Sequence, residues 1–204
     1  MDAGDPDLML LERWRRGERR AGEDLFARHF ADIYRFFEHK TAGEADELAQ
    51  QTFMACVAGR DAFRGQSTFR TYLFAIARNQ LYSYLRRAPQ RAQADFAITS
   101  LAEIVTSLSS RIGRAQQIEQ LRLALSELPA EDQLLLELHY WHDLDSAALG
   151  EVFEATSGAI RVRLLRARRA LHARMKQLGF ALPIRETSDG LASALARPDS
   201  SDES

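Results

Sequence analysis

Along most of this chain the apolar residues recur at every third or fourth position, and the alternation that a half-buried strand needs is almost absent. A chain patterned this way buries its apolar surface by packing helices together, so an all-α fold is expected. Leu8 to Arg16 reads as a first helix, announced by Asp5-Pro6-Asp7 and interrupted by Gly17. Glu23 to Glu38 carries Leu25, Phe26, Phe30, Ile33, Tyr34 and Phe37 at helical spacing. After the break at Gly43, Glu44 to Val57 places Ala45, Leu48, Ala49, Thr52, Phe53 and Cys56 inward. Phe69 to Arg87 is a fourth helix, with Phe69, Tyr72, Leu73, Ile76, Ala77, Gln80, Leu81 and Tyr84 as its expected buried stripe.

Pro89 ends that periodicity. The residues from Ala88 to about Arg114 are rich in Ala, Gln, Ser and Thr, which suits a linker, with a transient helix near Phe96 to Val105. Helical periodicity resumes near Gln117. Pro129 marks a helix start, and helices are expected at Ala130 to Trp141, Asp145 to Phe153 and Ser157 to Leu178, stopped by Gly179. The expected layout is an N-terminal domain over 1–88, a linker over 89–116, a C-terminal helix-turn-helix domain over 117–180 and a disordered tail over 181–204.

A formal net charge of -2 hides strong segregation. Between Ala155 and Ile184 lie Arg161, Arg163, Arg166, Arg168, Arg169, Arg174 and Lys176 without one acid; the tail then turns acidic and serine-rich. The local field, not the total, decides whether a polyanion binds. Cys56 is the only cysteine, so no internal disulfide or cysteine-built zinc site is available, and a buried thiol in a reducing compartment is expected. The first twenty residues lack the apolar core of a signal peptide, and no apolar run is long enough to span a bilayer; the chain reads as cytoplasmic, without membrane insertion.

Two segments have the chemistry of nucleic-acid surfaces. In the first, the loop Arg64-Gly65-Gln66-Ser67-Thr68 leads from Phe63 into the aromatic helix, where Arg78, Asn79, Arg86 and Arg87 lie off the buried stripe and Tyr82 is a further aromatic on the outer face. Guanidinium groups suit phosphates; aromatic faces and small polar side chains suit unstacked bases. In the second, the short helix ending at Phe153 connects through Glu154-Ala155-Thr156 to a longer helix that Thr156 can cap. Ile160, Leu164, Ala167, Leu171 and Met175 form its inward stripe, with Gly158, Arg161, Val162, Arg166 and Arg169 opposite. Ser157, Gly158 and Ala159 are small enough for close approach to DNA, and Arg161, Arg163 and Arg166 can reach phosphates or guanine edges.

In this order and spacing, three segments resemble bacterial sigma factors of the extracytoplasmic-function group. The helix Glu44-Ala45-Asp46-Glu47-Leu48-Ala49-Gln50-Gln51-Thr52-Phe53 is similar to the family's acidic helix. FRGQSTFRTYLFAIARN…LRR is similar to its promoter-melting segment, and the region from LSELPAEDQ to RARRAL to its C-terminal domain. The resemblance covers about Leu8 to Leu178. It implies binding to core RNA polymerase, through Asp46, Glu47, Gln50, Gln51 and Met54 on the β′ clamp helices, with the β flap as a second contact. It also implies that Phe63, Arg64, Gln66, Ser67 and Thr68, with Asn79 nearby, capture a base flipped from the minus-ten element. Arg78, Arg86 and Arg87 would hold the strand, with Tyr82 and Ser83 on the same surface. Thr156 to Arg169 of the helix-turn-helix would read the minus-thirty-five element. Relatives often work under an anti-sigma factor, which is therefore an implied partner.

The sequence departs from the family pattern at Ser83 (often Asp), Tyr72 (usually Trp), Glu154 (usually Gly) and Gly150 (normally Ala). The first pair bears on base preference, the second on turn geometry. Enzymatic readings find little support: there is no phosphate-cradling glycine loop or nucleophile elbow, and Ser67 and Ser83 have no base beside them in sequence. His139 and His142 have a spacing that can bind metal on a helix but fall in the connection before the helix-turn-helix, so neither metal nor cofactor is expected. The alternatives are a sigma-like DNA-binding regulator that does not engage polymerase and a helical module that binds protein only.

Overall fold

The computed structural model describes residues 5–38, 40–41, 43–87, 121 and 123–178; the expected linker and acidic tail lie outside them. All the regular structure among the described residues is helical. The main elements are α1 (Pro6–Arg15), α2 (Arg19–Glu38), α3 (Ala45–Gly59), α4 (Phe69–Arg87), α5 (Ala130–Tyr140), α6 (Ser146–Phe153) and α7 (Ser157–Gln177). The chain divides into two compact units, one of Met1–Pro89 with Ala147–Thr156, the other of Gln90–Ser146 with Ser157–Ser204. The segment carrying α6 thus groups with the N-terminal helices, a grouping that chain order does not suggest.

In the first unit, the start signal acts as its chemistry requires. The Asp5 side chain accepts a hydrogen bond from the Asp7 backbone N–H at 2.9 Å, and Pro6 sits where a missing N–H costs nothing. Gly17, at φ +98°, turns the chain into α2, a conformation in which a side chain would be strained. Trp14 lies flat over Gly22, so closely that a Cβ there would stand 2.7 Å from the indole nitrogen. Behind this contact Leu25, Ile33, Phe36 and Phe37 are fully buried. Helix α3 buries Ala45, Leu48, Ala49, Thr52, Phe53 and Cys56, the face its spacing predicts.

Helix α4 is rotated from its expected stripe. Phe69, Leu73, Ala77 and Leu81 are buried as predicted, but Thr71, Phe74 and Leu85 join them, while Tyr72, Ile76, Gln80 and Tyr84 are only half-buried. The cause is tertiary. Phe74 meets Phe36 of α2 edge-on, with ring centroids 5.7 Å apart, and Arg70 lies over the Phe74 ring while pairing with Asp32 at 3.1 Å. These contacts draw position 74 toward α2, and Tyr72 faces the preceding loop.

In the second unit α5 and α7 pack together. Ile160, Leu164, Ala167, Leu171 and Met175 are all buried, as their spacing predicts. Burying a large aliphatic side chain contributes roughly 1.5–3 kcal/mol, so this stripe holds the helix against α5. The buried Gln133 donates to the Leu128 carbonyl at 2.9 Å. Glu137 and His142 lie 3.6 Å apart, both buried.

Candidate polymerase and promoter surfaces

Three surfaces carry the residues singled out from the sequence. On α3, the buried face leaves Asp46, Glu47, Gln50 and Met54 exposed, with Gln51 half-buried and donating to Glu47 at 2.7 Å. Met54 is 63% exposed and Val57, one turn on, 45%. Phe30 of α2 is also exposed and stacks on Phe53 with ring centroids 6.1 Å apart. This surface therefore joins carboxylates to apolar side chains that nothing among the described residues covers. Val57 and Phe30 add to the five positions named from the sequence; their spacing alone marked Phe30 only as one of several helical apolar residues.

The second surface is the loop before α4 and the helix itself. A cavity of about 370 Å³ is lined by Ala62, Phe63, Arg64, Gln66, Ser67, Tyr72, Ala75 and Glu151, all in the first unit. Its volume lies within the roughly 300–1,000 Å³ typical of ligand sites. Phe63 stacks on Tyr72 at 4.6 Å with 24° between the ring planes, so its ring is 9% exposed and forms part of the wall. Arg64 and Gln66 are exposed and Ser67 half-buried, which leaves polar groups at an aromatic-walled opening. Burial raises the Tyr72 hydroxyl above its usual pKa, with Cys56 adding to the effect and Arg15 opposing it.

Not every loop residue is equally available. The Thr68 hydroxyl accepts from the Thr71 backbone N–H at 3.1 Å and lies 2.8 Å from the Thr71 hydroxyl, so it caps α4. Arg78 is half-buried over the Tyr82 ring, 4.7 Å from its centroid. Asn79, Arg86 and Arg87 are exposed, and Arg86 donates to the Ser83 hydroxyl at 3.1 Å.

The third surface lies on α7. Helix α6 ends in a turn that puts Glu154, one of the departures from the family pattern, in a strained backbone position. The Ala155 N–H donates to the Gly150 carbonyl at 2.9 Å and that of Glu154 to Glu151 at 3.4 Å, a Schellman-type helix end. It places Glu154 at φ +53°, the left-handed position that glycine usually fills. Thr156, Ala159, Arg161, Val162, Arg166 and Arg169 are exposed beyond the turn; Ser157 and Gly158 are half-buried. Val162 is 47% exposed and Leu165, which helical spacing alone does not mark, 45%.

The basic helix is less uniformly free than its composition implies. Arg163 pairs with Glu131 at 2.9 Å, Arg174 with Glu127 at 3.0 Å, and Arg168 bonds to His139 at 3.0 Å while lying over Tyr140. Among the described residues, Arg161, Arg166 and Arg169 form no ion pair, and they supply the outward field. His139 is held between the Leu144 carbonyl, 2.9 Å away, and Arg168. Among the described residues no three His, Cys, Asp or Glu side chains are grouped to hold a metal, and no helix is long and apolar enough to cross a membrane.

Comparison with known proteins agrees with this arrangement. Residues 25–91 match the model of sigma-70 region 2 and residues 118–171 that of sigma-70 region 4, together more than half of the chain. The RNA polymerase sigma factor YlaC of Bacillus subtilis is 28% identical over 160 residues, spanning 75% of this chain and 91% of that protein. The ECF RNA polymerase sigma-E factor of Escherichia coli K12 is 25% identical over 192 residues, spanning 84% and 95%. Among solved structures, CnrH in complex with the cytosolic domain of CnrY shares the fold with a TM-score of 0.60 at 22% identity, covering 85% of this chain and 99% of that one. RpoE of Bartonella quintana, in complex with the anti-sigma factor NepR, has a TM-score of 0.53 at 20% identity, covering 76% and 96%. The chain belongs to the extracytoplasmic-function group of bacterial RNA polymerase sigma factors.

Proposed function

We infer that this sigma factor binds core RNA polymerase, directs it to promoters and opens them, with a separate surface for each step. The observation that carries the reading is the succession of regions 2 and 4 on a chain presenting an acidic-apolar helix face, an aromatic-walled loop cavity and an outward arginine row. It acts as an initiation factor rather than an enzyme: its work is recognition and strand separation.

In this reading Asp46, Glu47, Gln50, Gln51 and Met54 dock on the β′ clamp helices, where carboxylates meet basic partners and Met54 buries apolar area. The β flap is assigned to the C-terminal domain. The cavity beside Tyr72 takes one base out of the stack. Extrusion costs a few kcal/mol, which stacking and edge hydrogen bonds from Arg64, Gln66 and Ser67 offset. Arg86, Arg87 and Asn79 follow the strand backbone, with Arg78, Tyr82 and Ser83 beside them. Thr156 to Arg169 enters the major groove at the minus-thirty-five element, Arg161 and Arg166 toward bases and Arg169 toward phosphate. The division at 1–88, 89–116, 117–180 and 181–204, and a cytoplasmic location, belong to the same proposal.

Two of the solved relatives are held by partner proteins, CnrY in one case and the anti-sigma factor NepR in the other. We extend that mode of control to this chain. Run-off transcription with purified core polymerase and a library of genomic fragments tests the function. Specific transcripts that depend on the added chain are expected. Binding of promoter DNA without any transcript would favour a regulator that has lost polymerase.

A further inference from the structure

The loop carrying the cavity is irregular, yet helix α1 grips its approach. The Arg15 guanidinium reaches from α1 across 45 residues of sequence to the end of α3, where its Nε donates to the Arg60 carbonyl at 3.2 Å and its Nη2 to the same oxygen at 2.6 Å. The same Nη2 also donates to the Phe63 carbonyl, and Nη1 is held by Glu12 at 2.7 Å. Its neighbour Trp14 lies under the Arg60 guanidinium, 5.0 Å from ring centroid to charge. Toward the other end of α1, the Leu8 side chain stands 3.8 Å from where a Cβ of Gly65 would be, and Gly65 adopts φ +66°.

These contacts converge on the cavity wall. The Phe63 ring is fixed by Tyr72, and its backbone carbonyl by Arg15. Charge-assisted bonds from a rigid guanidinium fork hold two carbonyls in fixed relation, as a flexible ammonium does not. An orphan carbonyl at the end of α3 is also the partially negative end of a helix, which favours a cation there.

We propose that Arg15 is a positioning residue for promoter opening: by clamping the Arg60 and Phe63 carbonyls it holds the loop over residues 63–68 in the shape that accepts an extruded base. The proposal rests on the reading of this loop as the base pocket, and its test separates the two. Holoenzyme is assembled from core polymerase and the full chain, on a promoter recovered by run-off selection. A single abasic site is placed at each non-template position of the melted region in turn, and opening is read by permanganate reactivity.

With the native chain, one position is expected to lose about tenfold in opening when its base is removed, the scale of a lost stacking and hydrogen-bonding site. With Arg15→Gln, opening of the intact promoter falls by a similar factor and the penalty at that one position vanishes, while penalties elsewhere and affinity for core polymerase persist. A full abasic penalty in Arg15→Gln overturns the assignment of Arg15. Absence of any such position with the native chain overturns the base-pocket reading, and the assignment with it. Should Arg15→Gln fail to fold, Arg15→Lys decides, because it keeps the charge beside Glu12 but not the fork. It is expected to retain only part of the penalty, and an unchanged penalty overturns the proposal.

Discussion

Arg163 on α7 pairs with Glu131 on α5 at 2.9 Å, so one arginine of the basic helix is turned onto its own unit instead of outward. Pairs at such half-exposed sites contribute about 0–1 kcal/mol. Arg163→Ala is therefore expected to lower promoter affinity less than Arg161→Ala or Arg166→Ala, each of which should cost about 1–3 kcal/mol if it reads a base. Arg169→Ala should weaken all sequences alike and reduce the salt slope of log K by about one. Fluorescence titrations of promoter fragments at several salt concentrations measure all four. Equal losses for Arg163→Ala and Arg166→Ala would contradict the division.

The exposed face of α3 makes a second expectation. Asp46 and Gln50 contribute nothing to the core, so Asp46→Arg with Gln50→Arg should leave the helical circular dichroism unchanged. The reversed charge should abolish copurification with core polymerase while upstream DNA binding survives. If polymerase is still retained, the docking face lies elsewhere.

Packing between α1 and α2 supplies a third. At Gly22 an added methyl would fall 2.7 Å from the Trp14 indole nitrogen, and Trp14 is itself buried. Gly22→Ala should destabilise by about 1–3 kcal/mol, the usual cost of overpacking. Thermal unfolding tests it; a melting temperature equal to that of the native chain would mean that the indole moves freely.

The helix end at Glu154 points the other way. Its φ of +53° carries a steric cost of about 1–2 kcal/mol for a residue with a Cβ. Glycine removes that cost but gains freedom in the unfolded chain, worth about 0.4–1 kcal/mol. Glu154→Gly should therefore stabilise by about 0–1.6 kcal/mol in denaturant unfolding, and loss of stability would show that the glutamate makes a compensating contact.

Cys56 makes stability depend on alkaline pH. Burial pushes its thiol from 9.0 up to about 12. The buried group stays protonated in the folded chain while the unfolded chain ionises above pH 9, so its contribution is complete below that pH and declines as pH rises toward 12. Unfolding at pH 8 and pH 10.5 should show a drop that Cys56→Ala reduces. In the native state at neutral pH the thiol should resist iodoacetamide.

Much of this protein is legible in its local spacing. The buried residues of α3 and the inward stripe of α7 follow directly from period and hydrophobicity, because each helix packs one face against a single neighbouring layer. The Asp5 cap and the helix-breaking glycines are equally local, set by backbone chemistry within a few residues. The three surface segments are visible because charge and small residues cluster in sequence.

What remained hidden depends on partners far along the chain. The edge-on contact of Phe74 with Phe36 decides the rotation of α4, and with it the turn of Tyr72 toward Phe63 as a cavity wall. Glu131, Glu127 and His139 decide which arginines of α7 remain outward. Arg15 meets the Arg60 and Phe63 carbonyls only through folding, for nothing in its spacing marks a loop 45 residues away. The sequence by itself determined the helices, the buried faces of α3 and α7 and the three charged or aromatic segments, since these depend on neighbours within a turn or two. Tertiary structure alone decided which of those side chains are held and which are free, because ion pairs and ring contacts form between helices that local periodicity cannot relate.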